Sequence, residues 1–259
     1  MRITDVDAVT PEVADAFQRD GYLVVERLIA DDELDRIRQA YDDIVSGRTR
    51  ARGDRLLGDI IRQVKDPSVD HPRFAANGAI DAGTLLATRL FGRDDLVKVY
   101  EMLIDKPPGT EHETPWHQDV GYWGRPVAPA GSPTGVADAQ IWLALDPVDV
   151  DNGCMQFIPR PHRSPSFAHR VVSGDPDSEG RLIAIDEPID TAAAVACPLQ
   201  PGGCTVHLTG TPHFTGPNLT DRPRRAYIFN IGPAALAAGA EAAMVATWGT
   251  STTTAGDQR

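Results

Sequence analysis

Apolar residues in the first part of the chain recur at helical spacing, and further on they come as short runs between turn-forming residues. Thr10 followed by Pro11 predicts the start of a short helix over 10–19, because proline lacks the N–H that a first helical turn leaves unbonded. Tyr22 to Ile29 is β-branched and aliphatic, lies between Gly21 and Asp31, and predicts a strand. Leu34, Ile37, Tyr41 and Ile44 then share one helical face, with Asp31 or Asp32 as cap and Gly47 as the stop. Residues 48–83 carry no clear period, and 84–92 suit another helix. From Leu96 onward the predicted strands are 96–104, 139–145, 155–158, 195–199, 204–208 and 226–231, with Gly, Pro, Asp and Asn between them.

Helices first and many short strands later predict an α+β, mostly β protein. The expected architecture is a double-stranded β-helix (a cupin-like jelly roll) with N-terminal helices packed on one sheet. One domain is expected: a helical part over about 1–92, a jelly-roll core over 93–232 and an extension over 233–259. Two segments resist assignment. Residues 121–138 hold four Gly and three Pro, and 164–194 is polar and acidic. Long segments of this kind are often lids or binding loops.

Composition narrows the partners. A net charge of -12 repels phosphate backbones and anionic lipid, so neither nucleic acid nor membrane is expected. The three cysteines, Cys154, Cys197 and Cys204, form no CxxC pair, which fits a reducing compartment and a cytoplasmic location. No apolar run suits a signal peptide or a membrane span. A monomer or small homo-oligomer acting on a small molecule is expected.

The candidate chemistry begins at Trp116-His117-Gln118-Asp119. On a strand, His117 and Asp119 would face one side and could share an ion. That pair alone is weak, since a chain with seven histidines and many aspartates meets it by chance. His213 adds a second imidazole, and Arg224 follows it by eleven residues. Two histidines and a carboxylate make the facial triad of non-haem iron(II) oxygenases, which leaves open positions for co-substrate and dioxygen. Arginine supplies a planar fork for the co-substrate's far carboxylate. His207 competes for the distal position, but eleven residues beyond it stands Asn218, so His207 reads as a packed or hydrogen-bonded strand residue. His162 reads as structural, His71 as a turn residue, and His112 and His169 as exposed. Arg225, facing away from Arg224, reads as a surface salt bridge.

In order along the chain, Met102–Gly109, Trp116–Asp119, Ile141–Leu145, Asn152–Pro159 with His162, and His213–Arg225 resemble the motifs of the phytanoyl-CoA dioxygenase family of iron(II)/2-oxoglutarate oxygenases. The resemblance covers about 12–232. It departs at Arg160-Pro161-His162, where Gly-Ser-His is usual. It implies that His117, Asp119 and His213 bind iron(II), and that Arg224 binds 2-oxoglutarate. Met102, Gln118, Trp142 and Lys65 would line the co-substrate pocket, with O2 as the second co-substrate. The implied reaction oxidises an unactivated C–H bond of a small molecule, and secondary metabolism is the expected setting. Asp119 sets aside a halogenase, which needs a small residue there. Two alternatives from other classes are a catalytically silent jelly-roll binding protein and a zinc hydrolase. Tyr122 and Trp123 leave the metal motif and are expected to touch substrate, with 121–138 closing over it.

Overall fold

The computed structural model describes residues 1–58, 61–123, 138–177 and 180–237. Its N-terminal part begins with β1 (Arg2–Ile3), α1 (Pro11–Asp20), β2 (Tyr22–Val25) and α2 (Asp31–Val45). Thr10 caps α1 as expected, accepting from the Val13 N–H. Gly21 ends α1 at φ +80°, in the left-handed region, and a Cβ there would collide with Thr211 Oγ1. Helix α2 differs at its start: its N-cap is Ala30, and Asp31 and Asp32 sit in the first turn, where carboxylates favour the positive end of the helix dipole.

The stretch without a clear period holds two strands and two helices: β3 (Asp54–Leu57), β4 (Ile61–Lys65), α3 (Pro72–Ala75) and α4 (Gly78–Phe91). The N-terminal part is therefore not only helical, since it contributes four strands to the main sheet. The remaining strands are β5 (Leu96–Lys106), β6 (Thr114–His117), β7 (Ala139–Ala144), β8 (Met155–Phe157), β9 (His169–Ser173), β10 (Leu182–Ile185), β11 (Val195–Cys197), β12 (Cys204–Leu208), β13 (His213–Thr215) and β14 (Arg224–Pro233).

Eight strands form the large sheet, in the order β1-β2-β12-β7-β14-β5-β4-β3. Four form the facing small sheet, in the order β11-β8-β13-β6. Among the described residues the pairings in these two sheets are antiparallel except that of β1 with β2. This is the expected jelly roll, with the helices packed on the large sheet.

Strand β14 shows how the period-2 pattern divides two cores. Tyr227, Phe229 and Ile231 face a cluster with Phe17, Ile37, Tyr41, Leu86 and Leu90 from the helices. Ala226 and Ile228 face the other way, into a cluster between the sheets with Trp142, Met155 and Phe157. Each large aliphatic or phenylalanine side chain fully buried here contributes about 1.5–3 kcal/mol. Segment 164–194 is also more regular than expected, since β9 and β10 pair as a hairpin.

Candidate metal and co-substrate site

His117 is the last residue of β6, and Asp119 opens a short 3-10 turn over Asp119–Trp123. The two ligand candidates therefore do not share a strand face as expected; the turn swings Asp119 back toward His117. Strand β13 pairs with β6 in register, His213 opposite His117. This cross-strand pairing joins residues almost a hundred positions apart. The ligand atoms of His117, Asp119 and His213 lie within 4.8 Å of one another. Asp119 Oδ1 is 3.8 Å from His117 Nε2 and 3.7 Å from His213 Nε2.

The surroundings orient these atoms. His117 Nδ1 lies 2.7 Å from the Pro115 carbonyl oxygen, and His213 Nδ1 lies 2.9 Å from that of Thr211. A carbonyl accepts only, so each Nδ1 carries the proton and each Nε2 presents its lone pair. Burial holds the pKa of both imidazoles down, which keeps them neutral. Burial alone would raise the Asp119 pKa, but His213, His207 and His117 outweigh it and hold the carboxylate below its usual range. The second oxygen, Asp119 Oδ2, accepts from Gln140 Nε2 at 2.7 Å and from His207 Nε2 at 3.2 Å. Oδ1 is thus left to the ion. Two bare imidazole nitrogens and one carboxylate oxygen fit iron(II).

His117, Asp119 and His213 open onto a cavity of about 390 Å³. Lys65, Met102, Trp142, Tyr122, Trp123 and Arg224 also line it. Arg224 is buried, with 1 % exposure, and lies opposite Lys106 across β14 and β5. Its Nη2 donates to Thr215 Oγ1 at 3.3 Å, and its guanidinium lies 5.2 Å from the centre of the Trp142 ring. Its Nε has no hydrogen-bond partner, and among the described residues no carboxylate pairs with it. Burial lowers its pKa to about 10, so the group stays charged at neutral pH. A buried, uncompensated guanidinium is costly, and here it faces an open cavity.

Gln118 is not in the pocket as expected. Its amide is buried on the far side, donating to the Gly210 carbonyl and accepting from the Phe167 N–H at 2.7 Å. Gln118 stands at the junction of β6 and the 3-10 turn, between two residues that face the cavity, and its own side chain is turned away from it. His169 is buried, not exposed: its Nε2 accepts from the Gln118 N–H at 3.1 Å. Tyr122 packs edge-on against the His117 ring at 5.7 Å and under Arg181, whose Nη2 donates to its carbonyl at 2.9 Å. Trp123 stands at the rim, 52 % exposed. The expected lid lies largely outside the described residues. Arg225 does more than a surface ion pair, because it forks onto the buried Asp146 at 2.9 and 2.7 Å and reaches Asp42 on α2.

Sequence reading missed Gln140, Lys106 and Arg181. Gln140 could have been found, since it lies two residues before Trp142 and so shares its face. Lys106 Nζ donates to the Thr215 carbonyl, Thr215 Oγ1 and the Gly216 carbonyl at 3.2, 2.9 and 2.7 Å, fastening β13 to β5. No local pattern marks such a contact.

A jelly roll that carries this triad beside a buried arginine defines the class of non-haem iron, 2-oxoglutarate-dependent oxygenases. Within that class, the chain belongs to the phytanoyl-CoA dioxygenase family, whose model, described as Phytanoyl-CoA dioxygenase (PhyH), matches residues 17–226. It is 27% identical to phytanoyl-CoA dioxygenase domain-containing protein 1 of Bos taurus, over 88% of this chain and 91% of that protein. It is 25% identical to the peroxisomal phytanoyl-CoA dioxygenase of Bos taurus, over 59% of this chain and 48% of that enzyme. The chain thus spans about half the length of that enzyme and of its mouse and rat counterparts. Among solved structures, EvdO2 from Micromonospora carbonacea var. aurantiaca complexed with 2-oxoglutarate superposes with a TM-score of 0.71 at 29% identity, over 87% of this chain and 91% of that one.

Proposed function

We propose that the chain is an iron(II)- and 2-oxoglutarate-dependent oxygenase that oxidises a C–H bond of a free small molecule, with His117, Asp119 and His213 as metal ligands and Arg224 as the anchor of 2-oxoglutarate. The observation that carries this reading is Arg224, a buried cation that faces the cavity of the triad and, among the described residues, has no carboxylate paired with it. When bound, iron(II) with dioxygen couples oxidative decarboxylation of 2-oxoglutarate, giving succinate and carbon dioxide, to oxidation of the substrate.

The protein's own residues do the positioning. Arg224 and Thr215 Oγ1 receive the far carboxylate of 2-oxoglutarate. Trp142, Met102, Ile228 and Met155 form an apolar wall that keeps water from the co-substrate. Gln140 and His207 fix Asp119 so that only Oδ1 turns to the ion. Tyr122 and Trp123 stand where substrate enters, and Lys65 closes the wall beside Met102. A zinc hydrolase or a silent binding protein would leave the buried Arg224 without a purpose.

No helix among the described residues is long and apolar enough to cross a membrane. All three cysteines are free and buried, which supports a reducing compartment such as the cytoplasm. A cavity of about 390 Å³ suits a co-substrate and a compact molecule, such as an intermediate of secondary metabolism, better than a long acyl chain.

The test is a screen of small molecules with iron(II), 2-oxoglutarate and air, reading succinate. Stimulated succinate formation that is lost in His117→Ala, Asp119→Ala and His213→Ala is the expected result. Turnover that persists in all three would place the chemistry elsewhere.

A further inference from the structure

The cavity has two ends. On β14, Arg224, Ile228 and Asn230 all line it. Arg224 and Asn230 are six residues apart on one face, about 20 Å at the rise of a strand. The co-substrate anchor is therefore at one end and Asn230 at the other. The metal lies toward the Asn230 end, because Gln140, which holds Asp119 Oδ2, is the cross-strand neighbour of Asn230. Whatever Asn230 touches thus lies near the ion and away from the arginine.

Asn230 is 9 % exposed, and its Oδ1 is buried without a hydrogen-bond partner among the described residues. Its Nδ2 lies 3.4 Å from Asp138 Oδ1, a long contact that sets the two side chains against each other. Asp138 is 4 % exposed and also lines the cavity. No arginine or lysine pairs with it among the described residues. Two acceptors thus sit side by side in a buried wall, and the hydrogen bond between them leaves acceptor capacity on both. A buried acceptor without a donor costs free energy, and a donor brought by a ligand recovers it.

We propose that Asp138 and Asn230 form a substrate-anchoring pair that recognises adjacent hydroxyl groups of a neutral, polyhydroxylated molecule. The proposal rests on the oxygenase reading and names the substrate class for that site. Hydroxyls donate to both acceptors at once. An acyl chain offers no donor and would leave the pair unmet. A carboxylate or phosphate would meet the Asn230 carbonyl oxygen, which repels it, and could take a hydrogen bond only from the protonated form of Asp138. An ammonium would suit Asp138 but would share the cavity with Lys65 and Arg55. Burial pushes Asp138 up to about 7, so near neutral pH it can accept from a hydroxyl or donate to one. Hydroxyls are the groups that answer both.

The test uses the full chain loaded with zinc, in place of iron, and 2-oxoglutarate. The probes are sucrose, methyl β-D-glucopyranoside, 2-phenylethylamine and decanoate, and binding is read by ligand-observed NMR. The saccharide probes should bind, and the amine and the acid should not. Asp138→Leu and Asn230→Leu, close in volume but without acceptors, should each weaken saccharide binding about tenfold or more. Asp138→Asn keeps an acceptor and should retain it. Affinity for 2-oxoglutarate should stay unchanged in all three. Preferential binding of the amine or the acid by the unmodified protein overturns the proposal, and that comparison needs no variant to fold. Saccharide binding indifferent to both leucine variants overturns it too. A protein that takes up no 2-oxoglutarate at all would instead overturn the oxygenase reading, so the two failures are distinct.

Discussion

Arg224 and Arg225 are neighbours in sequence with opposite tasks. Arg224 points into the cavity and, among the described residues, pairs with no acid; Arg225 points to the helices and is held by Asp146 and Asp42. Arg224→Ala should raise the KM for 2-oxoglutarate much more than that for substrate, because losing a buried charged partner costs about 2–5 kcal/mol. Arg225→Ala should leave that KM in place and lower the denaturation midpoint. Steady-state kinetics with each substrate varied in turn distinguish them, and a KM effect confined to Arg225→Ala would reverse the assignment. His207 is equally informative. It donates to the carboxylate oxygen that the ion does not use, so His207→Phe should weaken iron binding about 10–100-fold without removing a ligand. Metal titration followed by dialysis measures this; unchanged affinity would make His207 a packing residue only. At this scale the sequence marked the triad and Arg224, because spacing and residue type carry that signal. It could not mark Lys106, whose partners Thr215 and Gly216 come from a part of the chain more than a hundred residues away.

At the scale of elements, the metal turn is braced by the β9–β10 hairpin. His169 accepts from the Gln118 N–H, and Arg181 donates to the Tyr122 carbonyl. Gly121 lies between these braces, and a Cβ there would stand 2.7 Å from Ile183 Cδ1 and 2.9 Å from the His169 ring. Gly121→Ala should therefore cost about 1–3 kcal/mol by overpacking. It should also loosen the turn that carries Asp119. Urea denaturation together with iron affinity checks both, and an unperturbed protein would show that the hairpin gives way freely. This hairpin was not legible in sequence. The stretch 164–194 looked polar and acidic, and its pairing depends on partners across the fold. Helices α1 and α2 were legible, because caps and apolar faces are local. Strands β3 and β4 were not, since their place is decided by pairing with β5.

At the scale of the molecule, a strongly acidic chain buries Asp138 beside its own cavity. Burial pushes this carboxyl up to about 7, whereas in an unfolded chain it titrates near 4. Between roughly pH 4 and pH 7 the folded state holds a proton that the unfolded state has released. Stability from this group is therefore greatest at low pH and falls as pH rises through that window. Asp138→Asn should flatten that fall, read as denaturant midpoints of both proteins at pH 5 and pH 7.5. Parallel curves for the two proteins would mean that Asp138 is ionised throughout.

The fold, the triad and Arg224 converge on one claim, that this cavity holds iron(II) and 2-oxoglutarate together. Titration of the metal-free protein with iron(II) and then 2-oxoglutarate under argon tests it most directly. A weak visible charge-transfer band that grows with 2-oxoglutarate, shifts to higher concentrations in Arg224→Ala and is absent in His213→Ala is the predicted result. Tight zinc binding with no such band under any concentration of iron(II) and 2-oxoglutarate would contradict the account.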